Sequence, residues 1–205
     1  MAEDLPRPGS LRDRKRRRAE EAIRRAALEL FSERGYDQVS VTEIAERAEV
    51  GRTTFFRYFG DKQEVLFPDP RQESAEAVAG VGRPATAIGS SLPAALRSVR
   101  ALVTAFVGHI TADPVDYDRH QRLVRQNPEL YARSLVKQRG YADLLTAQLR
   151  GWGADPVTAR QAAELGLACF YAAQAESGDD PSTLLRHLGR AFDRLEVQSS
   201  GSPPG

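Results

Sequence analysis

The side chains best suited to chemistry in one short span lie between Ser40 and Lys62, in SVTEIAERAEVGRTTFFRYFGDK. Arg52, Thr53, Thr54, Phe56 and Arg57 stand within six consecutive positions. A guanidinium can grip a guanine edge with two parallel donors, a threonine hydroxyl can serve either base, and methyl or ring carbons can pack on the thymine methyl. Tyr58 and Lys62 follow at positions suited to phosphate. This is binding chemistry rather than catalysis. Cys169 sits between Ala168 and Phe170 with no histidine near it in sequence, which fits a buried, inert thiol. His109, His120 and His187 have no metal-ligand spacing, and no glycine-rich phosphate cradle occurs. The expectation is a protein that is not an enzyme and needs neither a metal nor a cofactor.

Those side chains need elements that present them. Ser40 and Glu43 have the spacing of a capping box, followed by Ile44, Ala45 and Ala48, which predicts a short helix. A second short helix is predicted from about Arg52 to Tyr58, ended by Gly60-Asp61. Ile44, Ala45, Val50 and Phe55 would form the small core between the two. The first helix would then cross a DNA backbone and the second would enter a major groove roughly 12 Å wide. Arg52 opens the second helix, where base contact is expected. Phe55 and Phe59 read as core; Phe56 and Tyr58 fit either a core or a DNA-facing role.

Upstream, Ala19, Ala22, Ile23, Ala26, Ala27, Leu30 and Phe31 recur at threes and fours, which predicts a helix from about Asp13 to Arg34 capped by Gly35. Residues 12–25 carry eight Arg or Lys against three acids, although the net charge of the chain is only +1. A basic block beside a helix-turn-helix fits phosphate attraction; by itself it would equally fit a solvated tail. Downstream, a fourth helix is expected from Lys62, stopped or kinked by Pro68-Asp69-Pro70. The pattern resumes near Gln72 and fades through the Gly/Ser/Ala/Pro stretch 80–91. Five more helices are expected at about 93–112, 114–127, 128–150, 156–177 and 181–196. The last two begin at Asp155-Pro156 and Asp180-Pro181, an acid before a proline at the first helical position.

The segment AALELFSERGYDQVSVTEIAERAEVGRTTFFRYFGDKQEVL resembles the TetR family of bacterial transcriptional regulators. The resemblance runs through Phe31 and Gly35, Val41 to Ala45, Thr53 to Phe59, and Lys62. It implies phosphate contacts from Ser40, Thr42, Tyr58 and Lys62, and base contacts from Arg52, Thr53, Thr54 and Arg57. Glu49 departs from it, standing in the turn where the family often has glycine; a positive φ there would cost roughly 1 kcal/mol. The stretch QRLVRQNPELYARSLVKQRGYADLL, with TFFRYF and LFPDP, looks similar to a subgroup near the mycofactocin regulator, some of whose members sense acyl-CoA thioesters.

The resulting expectation is an all-α chain of about nine helices. Residues 1–18 would be a disordered basic N-terminal arm, 19–67 a helix-turn-helix DNA-binding domain, 71–197 a ligand-binding and dimerisation domain, and 198–205 a disordered tail. Partners would be an operator in double-stranded DNA, a second copy of the chain and a small hydrophobic ligand. The dimer is expected from the small-residue seam Ala159, Ala163, Gly166, Phe170 and Ala173 and from Leu184, Leu188, Ala191 and Leu195; both helices could instead pack inside one chain. The ligand site, a family expectation, would draw on Phe106, His109, His120, Val124, Tyr131 and Phe170, with Arg122 and Arg125 nearby. Satisfied core histidines and surface arginines would account for the same residues. No apolar run reaches the roughly 18 residues a membrane span needs, and no apolar signal segment is evident, so a cytoplasmic protein is expected. Two readings compete: a repressor released by a ligand, and a dimeric DNA-binding regulator without small-molecule input. A large apolar pocket would favour the first, a filled core the second.

Overall fold

The computed structural model describes residues 11–67, 70–178 and 180–200. Among the described residues nine α-helices follow in order: α1 Leu11–Arg34, α2 Val41–Arg47, α3 Arg52–Tyr58, α4 Pro70–Ala77, α5 Leu92–Ile110, α6 Pro114–Gln126, α7 Pro128–Gly151, α8 Pro156–Ser177 and α9 Leu184–Ser200. Among the described residues there is one isolated bridge, Gly89 to Ala154, and no strand. The chain is all-α.

Two compact units form. One gathers α1 to α3 and the turns after them together with Arg122–Leu130; the other gathers α4, α5, the start of α6, most of α7, α8 and α9. The core of the first unit joins Ile23, Ala27, Leu30 and Phe31 of α1 to Ile44, Ala45, Phe55 and Phe59, and also takes in Leu123, Val124 and Leu130. Sequence reading ended the first unit at residue 67, because a contribution some 60 residues downstream leaves no local pattern.

Helix ends follow from capping chemistry. Gly35 has φ +83° and returns its N–H to the Phe31 carbonyl at 2.9 Å, closing α1. Asp155 caps α8 by accepting from the N–H groups of Val157 and Thr158 at 3.0 and 3.1 Å. Asp113 does the same for α6 through Val115 and Asp116.

Four expectations need correction. Residues 11–18 belong to α1 rather than to a disordered arm; residues 1–10 lie outside the described part. No helix starts at Lys62. Residues 62–67 form successive turns in which Val65, Leu66 and Phe67 are all buried, a run that one helix face cannot supply. The next helix opens at Pro70, and Pro68 and Asp69 lie outside the described residues. Residues 181–183 form a 3-10 turn, and α9 continues to Ser200, so 198–200 are helical; 201–205 are outside the described part.

The fourth concerns the seam of α8. Ala159, Ala163 and Ala173 are fully buried inside the chain, and a Cβ on Gly166 would stand 2.1 Å from Val99 Cγ1 of α5. The small residues bring α5 against α8 within one protomer. Leu184 and Leu188 of α9 are buried in the same core. Ala159, Ala163, Gly166, Ala173, Leu184 and Leu188 are therefore spent on packing within the monomer, while Phe170, Ala191 and Leu195 are only partly buried.

Candidate nucleic-acid interface

The turn between α2 and α3 sets their angle. Val50 N–H bonds to the Ala45 carbonyl at 2.9 Å and Glu49 N–H to the Glu46 carbonyl at 3.1 Å. That pair of bonds is a Schellman closure, which needs a left-handed residue between them. Glu49 fills the position with φ 55°, an uncommon conformation for a residue with a Cβ. The expected cost of the departure from glycine is therefore present at this site.

The start of α2 is fixed by the predicted capping box. Ser40 Oγ accepts from Glu43 N–H at 3.3 Å, and Glu43 Oε2 accepts from Ser40 N–H at 2.8 Å. Arg34 adds an ion pair to Glu43 Oε1 at 2.8 Å. The Ser40 backbone bond, then its hydroxyl, then Arg34 hold the Glu43 carboxyl down at about 2 against an ordinary 4.5. Arg47 at the other end of α2 pairs with Glu29 and Glu33 of α1. The helix is held at both ends before any partner binds.

Phe55 is fully buried and stacks on Phe59 with ring centres 5.7 Å apart, seating α3 on the core. The remaining surface of α3 is open. Arg52, Thr53, Phe56 and Arg57 are exposed, and Thr54 and Tyr58 are half-buried. Phe56 is 47% exposed, which resolves its two readings in favour of an outward ring. The Arg52 guanidinium lies 5.7 Å over the Phe56 ring. Arg57 lies 4.7 Å over Tyr58 and donates to its hydroxyl at 3.0 Å. Each stack restrains a long side chain while leaving guanidinium N–H groups at its edge, at a gain of about 0.5–1 kcal/mol at an exposed site. The Arg52–Phe56 stack could have been read from the i,i+4 spacing; the Arg57–Tyr58 one could not, because neighbouring residues do not normally face each other on a helix.

The other expected contact residues fall into two groups. Thr42 is exposed on the first turn of α2, and Ser40 is exposed although its hydroxyl also serves the cap. Lys62 is half-buried, and its ammonium donates inward to the carbonyls of Tyr36 and Val39 at 2.8 and 3.0 Å.

The residues named for a ligand site are divided between the two units, Val124 in the first and the others in the second. Val124 is buried in the core of the first unit. Tyr131 is 53% exposed, His109 is exposed and His120 half-buried. Phe170 packs on the second core, and Phe106 stacks on Tyr141 at 5.1 Å. Sequence reading missed the half-buried polar groups of the second unit. Gln174 donates to the Tyr117 hydroxyl at 3.0 Å, and the Tyr141 hydroxyl donates to Glu73. These partners are 57 and 68 residues apart, beyond any local signal. Cys169 is buried, and its thiol is pushed up to about 11, which leaves little thiolate at neutral pH. Among the described residues no helix is long and apolar enough to cross a membrane.

Residues 23–67 match the family described as bacterial regulatory proteins, tetR family. The chain is 39% identical over 132 residues to the HTH-type transcriptional regulator TcmR of Streptomyces glaucescens, spanning 62% of this chain and 57% of that one. It is 28% identical over 173 residues to MftR of Mycobacterium tuberculosis, named as a mycofactocin biosynthesis transcriptional regulator, spanning 82% of this chain and 84% of that one. Among solved structures, the regulator FadR of Bacillus subtilis, in complex with stearoyl-CoA, shares the fold with TM-score 0.55 and 19% identity, covering 89% of this chain and 99% of that one. The helix-turn-helix, its capping box and the outward recognition helix all fall within the residues that match the tetR family of bacterial regulatory proteins.

Proposed function

We propose that this protein is a sequence-specific DNA-binding transcriptional regulator of the cytoplasm, a repressor released from its operator by a small-molecule ligand. The observation that carries the reading is α3. Its buried face is anchored by Phe55, and its open face presents Arg52, Thr53, Phe56 and Arg57. A surface of two restrained guanidiniums, a hydroxyl and an outward ring supports reading base edges. Capture of genomic fragments by the full chain tests it. A discrete set of fragments is expected, and an Arg52→Ala, Arg57→Ala double variant should lose them; equal recovery of all fragments would contradict the reading.

A single helix-turn-helix reads few bases, so a homodimer on a near-palindromic site is part of the proposal. Because the small-residue seam is used internally, the partner would meet the outward faces of α8 and α9. Ala168, Ala172 and Ala175 are exposed there at spacings of four and three, and Leu185 of α9 is 43% exposed. Sedimentation should give a dimer at micromolar concentration and a monomer for Ala172→Arg. A monomeric wild type would contradict this.

For the effector we propose a small, largely apolar molecule held in the second unit, an acyl-CoA thioester being the class to try first. Support comes from half-buried polar groups, Tyr117, Gln174 and Tyr141, among packed aliphatic helices. Direct titration with acyl-CoA thioesters of graded chain length tests it. Saturable binding should weaken operator affinity about 5- to 150-fold, whereas no binding at any length would favour a regulator without small-molecule input.

A further inference from the structure

Lys62 follows the recognition helix by four residues, yet its head points into the fold. Its ammonium donates to the Tyr36 carbonyl at 2.8 Å and to the Val39 carbonyl at 3.0 Å. It also stands 4.0 Å from the centre of the Tyr36 ring and 6.0 Å from that of Phe31. Tyr36 is buried and its ring packs on Phe31 at 5.1 Å. Both carbonyls belong to the loop between Gly35, where α1 closes, and Ser40, the cap of α2. The Tyr36 carbonyl has one other bond, a long one from Val39 N–H at 3.4 Å. Burial, the largest influence, pulls the Lys62 pKa below the ordinary lysine range, and the Asp37 and Glu129 carboxylates oppose it.

An ammonium that reached out to a phosphate would give up these bonds and the aromatic face together. It would also loosen the loop that delivers Ser40 to its capping box. The loop and the turn after α3 therefore share one cation.

We propose that Lys62 is a positioning residue for DNA binding, whose ammonium pins the Tyr36–Val39 loop and so sets the start of α2 relative to α3, rather than a ligand of phosphate. The proposal rests on the DNA-binding reading above. Its chemistry is internal: two carbonyl acceptors and a ring face recognise a compact cation with three donors. Arginine has the charge but not the compact head.

Two readouts on the full chain test it, using Lys62→Met and Lys62→Arg. The first is amide exchange of residues 39–43 in the DNA-free protein. The second is the slope of log affinity against log salt for mixed-sequence duplex DNA. Positioning predicts faster exchange in both variants, affinity lowered roughly tenfold and an unchanged salt slope. A phosphate ligand predicts native exchange, a slope shallower by about 0.9 in Lys62→Met, and affinity restored in Lys62→Arg; that result would overturn the proposal. If Lys62→Met does not fold, Lys62→Arg carries both readouts. If the wild type binds no duplex, the regulatory reading fails, while the exchange measurement still decides whether Lys62 is the pin.

Discussion

The two units solve opposite problems. In the first, two short helices of seven residues carry the open polar surface: α2 is held from its ends by a capping box and ion pairs, and α3 is seated by the buried Phe55. In the second, long helices are held along their lengths by close packing, with Gly166 of α8 against Val99 of α5, and the polar groups are folded in. A surface that must read a rigid external partner gains from being fixed beforehand, since little is then spent on ordering it. A core built from long elements can shift as a unit, which suits the ligand proposed for it.

The largest expected effect separates the units directly. Phe55→Ala should destabilise the first unit by about 3–5 kcal/mol, because a fully buried ring leaves a cavity, and DNA binding should go with it. Trp152, the single tryptophan, is buried in the second unit and reports on that unit alone. Its fluorescence transition should move far less than the loss of binding. Equal shifts would mean that the two units unfold as one.

Gly166→Ala tests the other side. The added carbon meets Val99 at 2.1 Å, so α5 and α8 must part, at a cost of about 1–3 kcal/mol. The Trp152 transition should fall while affinity for mixed-sequence duplex stays close to wild type. No change in the transition would show that the seam is loose.

The contrast also explains what sequence could reveal. The capping box of Ser40 and Glu43, the Gly35 stop and the outward Arg52 to Arg57 all depend on residues within a few positions of one another, so their patterns were legible. Glu49 was legible too, as a residue out of place in a turn. The packing of Leu123, Val124 and Leu130 with the α1–α3 core was not, nor was the pairing of Tyr141 with Glu73. Those contacts join distant residues, and periodicity reports only that a face is apolar, not what covers it. The α8 seam shows the same limit: its spacing correctly announced close helix approach but could not say whether the other helix belonged to the same chain.

Smaller effects sharpen the picture of the first unit. The Glu43 carboxyl is held at about 2, below its ordinary 4.5, so its contribution is present above about 4.5 and is lost as pH falls toward 2. Thermal unfolding measured across that window should decline for the wild type and decline less for Glu43→Gln; parallel curves would show that the cap does not contribute. Glu49→Gly should relieve a left-handed backbone at φ 55°, worth roughly 1 kcal/mol before the entropy of glycine is subtracted. It also removes an acid from the turn, so affinity for duplex DNA should rise slightly; a fall would mean that the Glu49 side chain assists binding.

In the proposed function the open face of α3 reads base edges. Selection of bound duplexes from a random pool, run in parallel with wild type and Arg52→Ala, tests it most directly. A dimer reading bases through α3 should select a near-palindromic site with half-sites about 34–36 Å apart, or somewhat more. Arg52→Ala should lose preference at one position of each half-site, at a cost of about 1–3 kcal/mol. An enriched sequence identical in the two proteins, or no enrichment with the wild type, would contradict that reading.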